Sequence, residues 1–263
     1  MLYLSESDLR FLVETVATHR RDYDHIINLV RDKEDLLEPM LADSKLAERL
    51  FRETEAFVRV SPYMLFSVLL RRVRTDLEKE TCVFEVEPKG KRIPVFEAAA
   101  VAQLLSNKSA RDYLVELLAS FVRTNSGVIY WRERGAWHKR QFSDIDIDDM
   151  VELVRIIDPE MRPSLYRRIA DLTLFLSGIF PDHATQFAAP PTGMLSSRRT
   201  VKDYEQLGKR FYRVAERQTD QDQLRPIFAL LAEQFILARW ALNTLSDRYL
   251  RTYRAHYFDF PSQ

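Results

Sequence analysis

Leu224, Phe228, Leu231, Phe235, Ala238, Leu242, Leu245 and Tyr249 recur at alternating spacings of four and three, and no other feature of the chain limits its fold so tightly. Such spacing puts all eight on one side of a helix. Ile227, Leu230, Ile236 and Trp240 widen the stripe beyond the narrow seam of a coiled coil, so the segment reads as a central core helix that starts near Pro226. Composition agrees. The 263 residues include six glycines, far below the average of about 7%. Few glycines mean few tight turns and no Gly-rich loop to cradle a phosphate.

Helix starts are written elsewhere in the chain. In "LSESDLRFLVETV" Ser5 can accept the backbone N–H of Asp8, and Leu9, Leu12, Val13 and Val16 come after it at helical spacing. "SPYMLFSVLLRRVRTDL" places Ser61 at an N-cap and Pro62 at the first helical position, where a missing N–H costs nothing. Thr200 caps "VKDYEQLGKRFYRVAERQ", with Asp203 at the capping-box position. "FEAAAVAQLLS" and "SARDYLVELLASFVR" read as two helices with a short join. Two stretches speak for strands. "TCVFEVEPKGKRIPVF" alternates up to a Lys-Gly turn, and Pro94 confines the segment beyond that turn to an edge strand or a helix start. "VIYWRERGAWHKRQF" reads as a hairpin turning at Arg134-Gly135, which sets Arg132 opposite Trp137 and Trp131 opposite His138. The expected fold is mainly α: a helical bundle with a small β-hairpin in its middle segment. N-terminal helices occupy residues 1–60, the hairpin segment residues 61–145, and a C-terminal helical bundle residues 146–263.

Lysine plus arginine equal aspartate plus glutamate at 39 each, so affinity for a polyanion must come from local clustering. One cysteine, Cys82, excludes an internal disulfide and points to a cytoplasmic setting. No apolar stretch comes after a basic start, so no secretory leader is expected. The longest apolar runs, such as "LTLFLSGIF", are about half of the ~20 residues a membrane span needs.

The motifs of common chemistry are missing. "RQFSDIDIDDMVE" crowds Asp144, Asp146, Asp148 and Asp149 together, but an EF-hand needs glycine and glutamate where Asp149 and Arg155 stand. Carboxylates also gather where unpaired N–H groups open a helix, so a helix is expected to start here. No Glu-x-x-His pair, His-Glu-x-x-His, Gly-x-Ser-x-Gly or Walker loop is present, so no metal, cofactor or catalytic residue is assigned. The irregular stretch 181–199 could carry an anion-binding rim of His183, Arg198 and Arg199, and an enzyme site under it is the second alternative. The tail "RYLRTYRAHYFDF" interleaves arginine with tyrosine and suits either base stacking or the packing of a terminal helix.

In order, the middle elements are helix 62–80, strand 82–87, helix 95–105, helix 109–123, and strands 128–132 and 137–142. With the phrase "YLVELLASFVRTNSGVIYWRERGAW", this succession resembles the winged helix-turn-helix family over about 80 residues, roughly a third of the chain. The resemblance implies two crossed helices and then a wing that touches nucleic acid. Between Pro88 and Phe142 ten basic residues face four acidic ones, a surplus of six in a neutral chain. A basic wing could lay Arg132 and Arg134 along phosphates. In the helix that would read bases, Arg111 is available but Asp112 and Glu116 repel phosphate. The expectation is a non-enzymatic binding or regulatory protein. Its contact residues are Trp131, Arg132, Arg134, Trp137, His138, Lys139, Arg140 and Arg111. A protein partner or self-association leads, and DNA or RNA is the alternative. Membrane contact is not expected, and the sequence names no small molecule.

Overall fold

The computed structural model describes residues 4–20, 22–53, 59–86, 91–122, 126–133, 136–143, 146–181, 199–251, 253 and 258; for the strands 126–133 and 136–143, and for residues 32 and 34, it describes the backbone alone. Helices dominate. At the N-terminal end lie α1 (Glu6–Val16), α2 (Tyr23–Asp32), α3 (Glu34–Leu41) and α4 (Ser44–Arg52). Then come α5 (Pro62–Leu77), the hairpin β1 (Val83–Val86) and β2 (Arg92–Val95), α6 (Ala98–Ser106), α7 (Lys108–Ser120), and the hairpin β3 (Ser126–Glu133) and β4 (Ala136–Ser143). The chain continues with α8 (Ile147–Ile156), α9 (Arg162–Ile179), α10 (Val201–Gln218), α11 (Arg225–Glu233) and α12 (Phe235–Leu245), which runs on into a wider π turn, Ser246–Leu250. No helix among the described residues is long and apolar enough to cross a membrane.

Local chemistry sets the boundaries. Ser5 and Asp8 close a capping box on α1, and Thr200 and Asp203 close another on α10. Ser61 accepts the Met64 N–H at 3.2 Å with Pro62 beside it. Asn107 alone joins α6 to α7, and its side chain accepts the Ala110 N–H at 3.0 Å. In the aspartate-rich stretch, Asp146 caps α8 by accepting from Asp148 N at 2.8 Å and Asp149 N at 3.1 Å. The carboxylates gather there because a helix begins; Asp144 lies outside the described residues.

Buried apolar side chains from Leu9 to Phe258 form one cluster, with α9 at its middle. Every residue of α9 from Ile169 onward is buried, because α10 and α12 both pack against it. Two glycines permit that closeness. A Cβ on Gly208 would lie 2.2 Å from the Phe235 ring, and one on Gly178 2.6 Å from Leu242 Cβ. The C-terminal apolar stripe differs from the single helix that its spacing predicts. The chain breaks at Gln234 (φ −105°, ψ 29°), next to Phe235, which packs against Gly208.

Candidate binding surface and buried ion networks

Val128, Ile129, Tyr130 and Trp131 are β-branched or aromatic, which suits a pleated ribbon. β3 and β4 pair antiparallel from Ser126 with Ser143 to Glu133 with Ala136, so Arg134 and Gly135 alone connect them. Arg132 lies opposite Trp137 and Trp131 opposite His138, the register the sequence predicts. Because a strand alternates its faces, Tyr130, Arg132, Trp137 and Lys139 occupy positions on one face. Ile129, Trp131, His138 and Arg140 occupy positions on the other. The hairpin forms a sheet of two strands only, so each strand has one hydrogen-bonded neighbour among the described residues and one edge outside that pairing. The conformation of Arg134 and the side chains of residues 126–133 and 136–143 lie outside the described residues.

The helices use their cations differently. Arg111, expected to be a contact residue, is buried at 2% exposure and reaches the Leu105 carbonyl at 3.1 Å and the Glu38 carboxylate. That correction has a plain cause: Arg111 faces α5 and the core, where Arg71 approaches the same glutamate. Burial first, and then the like charge of Arg71, lower the Arg111 pKa. Glu38 is pushed up by burial, yet its hydrogen bonds and attraction to Arg71, and then to Arg111, win and hold it below the ordinary value. On α7, Lys108 pairs with Asp112 at 3.0 Å.

Two more networks sit in the bundle. Asp171, on α9, accepts the hydroxyls of Tyr113 at 2.6 Å and Tyr212 at 2.8 Å, and Arg167 lies 3.5 Å from its other oxygen. Burial raises Asp171 above the usual carboxylate range in spite of Arg167. The same burial, reinforced by Asp171, raises both tyrosines well above 10. Arg239, on α12, binds Glu85 of β1 at 2.8 Å and Glu205 of α10 at 3.0 Å, and Trp240 Nε1 donates to Glu85. These ties fasten the first hairpin to the bundle. Its exposed side carries Phe84 opposite Pro94, with Phe96 just beyond at 77% exposure.

The tail folds inward where it is described. Arg248 grips Glu80 through two hydrogen bonds of 2.6 Å, Tyr249 donates to Asp76 and stacks on Phe51, and Phe258 is fully buried among Phe66, Phe175 and Phe180. Burial, helped by the bond to Asp76, pushes the Tyr249 hydroxyl up to about 12. In the proposed anion rim, Arg199 binds Asp148 of α8, with one contact at 2.9 Å; His183 and Arg198 lie outside the described residues. No group of three His, Cys, Asp or Glu among the described residues could hold a metal ion.

Sequence reading missed Glu38, Arg71, Asp171, Arg239 and Glu85. The signal for Arg71, Asp171 and Arg239 was charge set within or beside an apolar run, as in "SVLLRRV", "RIADLTLFL" and "FILARWAL". Comparison of the chain with protein-family models, with curated proteins and with solved structures found no match.

Proposed function

We propose that this chain is a non-enzymatic binding protein of regulatory type, a helical scaffold that offers the hairpin β3–β4 to a protein partner or to a second copy of itself. The observation that carries the reading is the hairpin's pairing. Two eight-residue strands are bonded to each other alone among the described residues, and the outer edge of such a ribbon can accept a further strand. Phe84, Pro94 and Phe96 on the first hairpin add exposed apolar surface of the kind interfaces use. Charge pairing in the bundle works the same way. Arg71, Arg111, Arg199, Arg239 and Arg248 all meet internal carboxylates, whereas residues 126–143 carry four basic residues against Glu133.

A second reading, contact with DNA or RNA, is favoured by one feature: the register places Tyr130, Arg132, Trp137 and Lys139 on a common face, alternating aromatic and cationic positions. A helix, a strand, two helices and a hairpin succeed one another as in a winged helix, with β2 added and paired to β1. The burial of Arg111 weakens base reading through α7 and keeps this reading second.

Light scattering over a concentration series, on the full chain and on Arg132→Ala/Trp137→Ala, tests the proposal. Self-association that the double substitution abolishes supports it. A monomer that instead retains mixed-sequence nucleic acid at low salt supports the second reading. Wild-type behaviour of the substituted chain in both assays removes the hairpin as the contact.

A further inference from the structure

Arg71 and Arg111 are among the largest fully buried side chains of the described residues, at 1% and 2% exposure, and main-chain carbonyls hold both from behind. Arg71 donates Nη1 to Ser67 O at 2.9 Å, one turn back in α5. Arg111 donates Nη1 to Leu105 O at 3.1 Å, near the end of α6. Three further N–H groups of the pair converge on one carboxylate. Arg71 grips Glu38 with Nε, at 3.2 Å, and with Nη2, and Arg111 adds its own Nη2. A two-pronged guanidinium with a further donor beside it is the arrangement by which proteins hold oxyanions.

Glu38 differs from the groups that surround it. It belongs to α3, an eight-residue helix with Pro39 next to it, and its side chain is 33% exposed, whereas both arginines sit on longer helices within the core. It also leaves the site incompletely used. Arg111 Nε and Ser67 Oγ are buried donors without a hydrogen-bond partner, and so is one acceptor, Asp112 Oδ1, 3.7 Å from Arg71 Nη2. Arg74 pairs with Glu78 and adds no net charge. Of the remaining groups, Arg71, Arg111 and Lys108 face Glu38 and Asp112. With Glu38 withdrawn, three positive charges face one negative, a net of +2.

We propose that Arg71 and Arg111 form a binding site for the hydrogen phosphate dianion, which Glu38 fills as an internal substitute. A dianion matches the net charge left when Glu38 leaves. Its four oxygens give Arg111 Nε an acceptor that a carboxylate does not supply. Its single P–O–H can donate to Asp112 Oδ1, which sulfate, having no proton, cannot do. Phosphate and Glu38 compete for the same donors, so phosphate binding releases α3 and a tethered Glu38 weakens phosphate binding. The site is independent of the hairpin.

The test uses the full chain and Glu38→Ala, titrated calorimetrically with inorganic phosphate and with sulfate at constant ionic strength. Hydrogen exchange across residues 34–41 is monitored in the wild type. The expected results are a phosphate affinity about tenfold higher in Glu38→Ala, preference for phosphate over sulfate, and faster wild-type exchange in α3 when phosphate is added. Asp112→Ala in the Glu38→Ala background, which takes away the acceptor for the P–O–H, removes the preference over sulfate. A folded Glu38→Ala chain that takes up no phosphate overturns the site, and an equal response to sulfate overturns the assignment to hydrogen phosphate. If Glu38→Ala does not fold, unchanged wild-type exchange at residues 34–41 under saturating phosphate overturns the proposal by itself.

Discussion

Ser61 donates its backbone N–H to the Asp8 carboxylate at 2.8 Å, 53 residues away in sequence, so the acid that closes the capping box of α1 also holds the residue that caps α5. Asp8 is fully buried, and its other oxygen accepts from Ser5 N at 2.9 Å. Asp8→Ala therefore strands the part-buried Ser61 N–H, at about 1–3 kcal/mol, and also breaks the capping box at the exposed Ser5. Ser5→Ala removes one cap, worth about 1 kcal/mol. Urea midpoints of the two variants should fall in that order; equal losses would show that the link to Ser61 contributes nothing.

Gly208 offers a test of the core. Its missing Cβ would meet the Phe235 ring at 2.2 Å and Thr173 Oγ1 at 2.5 Å. Gly208→Ala should cost about 1–3 kcal/mol through overpacking, and Phe235→Leu in the same chain should recover part of it. Thermal melts of the single and double variants decide, and additive losses would mean that the two residues do not press on each other.

Stability should depend on pH with opposite signs at two acids. Asp171 has a folded pKa above its ordinary 3.8 because of burial. Its contribution is complete below the unfolded value and is lost as pH rises through the folded one. Glu38 lies below its ordinary 4.5; its contribution is present above that value and is lost as pH falls through the folded one. Denaturant midpoints measured from about pH 3 to 7 should show Asp171→Asn flattening the fall toward neutral pH and Glu38→Gln flattening the loss in acid. Unchanged profiles in both would contradict the assignment of these slopes.

The Tyr113 and Tyr212 hydroxyls share Asp171 Oδ1. Asp171→Leu leaves both without that acceptor, at about 1–3 kcal/mol apiece. Adding Tyr212→Phe should restore part of the loss, since that hydroxyl then needs no acceptor; Tyr113 is kept because its hydroxyl accepts from Arg167 Nε at 3.1 Å. A double variant less stable than Asp171→Leu would count against this network.

What the sequence revealed was local. The caps at Ser5, Ser61 and Thr200 were legible because a cap forms between residues three apart, and the register of β3–β4 because a two-residue turn dictates it. The networks were not legible. Arg71 and Arg111 meet Glu38 across 33 and 73 residues, and Tyr113 meets Asp171 across 58. No spacing rule joins such partners, and Arg111 looked like a surface cation for that reason. The break at Gln234 was hidden because the four-and-three spacing passes through it unchanged, while Phe235 packs against a glycine on another helix.

The most direct test of the account is the Arg132→Ala/Arg134→Ala chain beside the wild type, with self-association and binding to mixed nucleic acid read across a salt series. The account predicts that the substituted chain keeps its helical spectrum and melting temperature but loses most of whichever interaction the wild type makes, and that any nucleic-acid binding weakens steeply with salt. An interaction that persists at full strength, or that salt leaves unchanged when nucleic acid is the ligand, would contradict it.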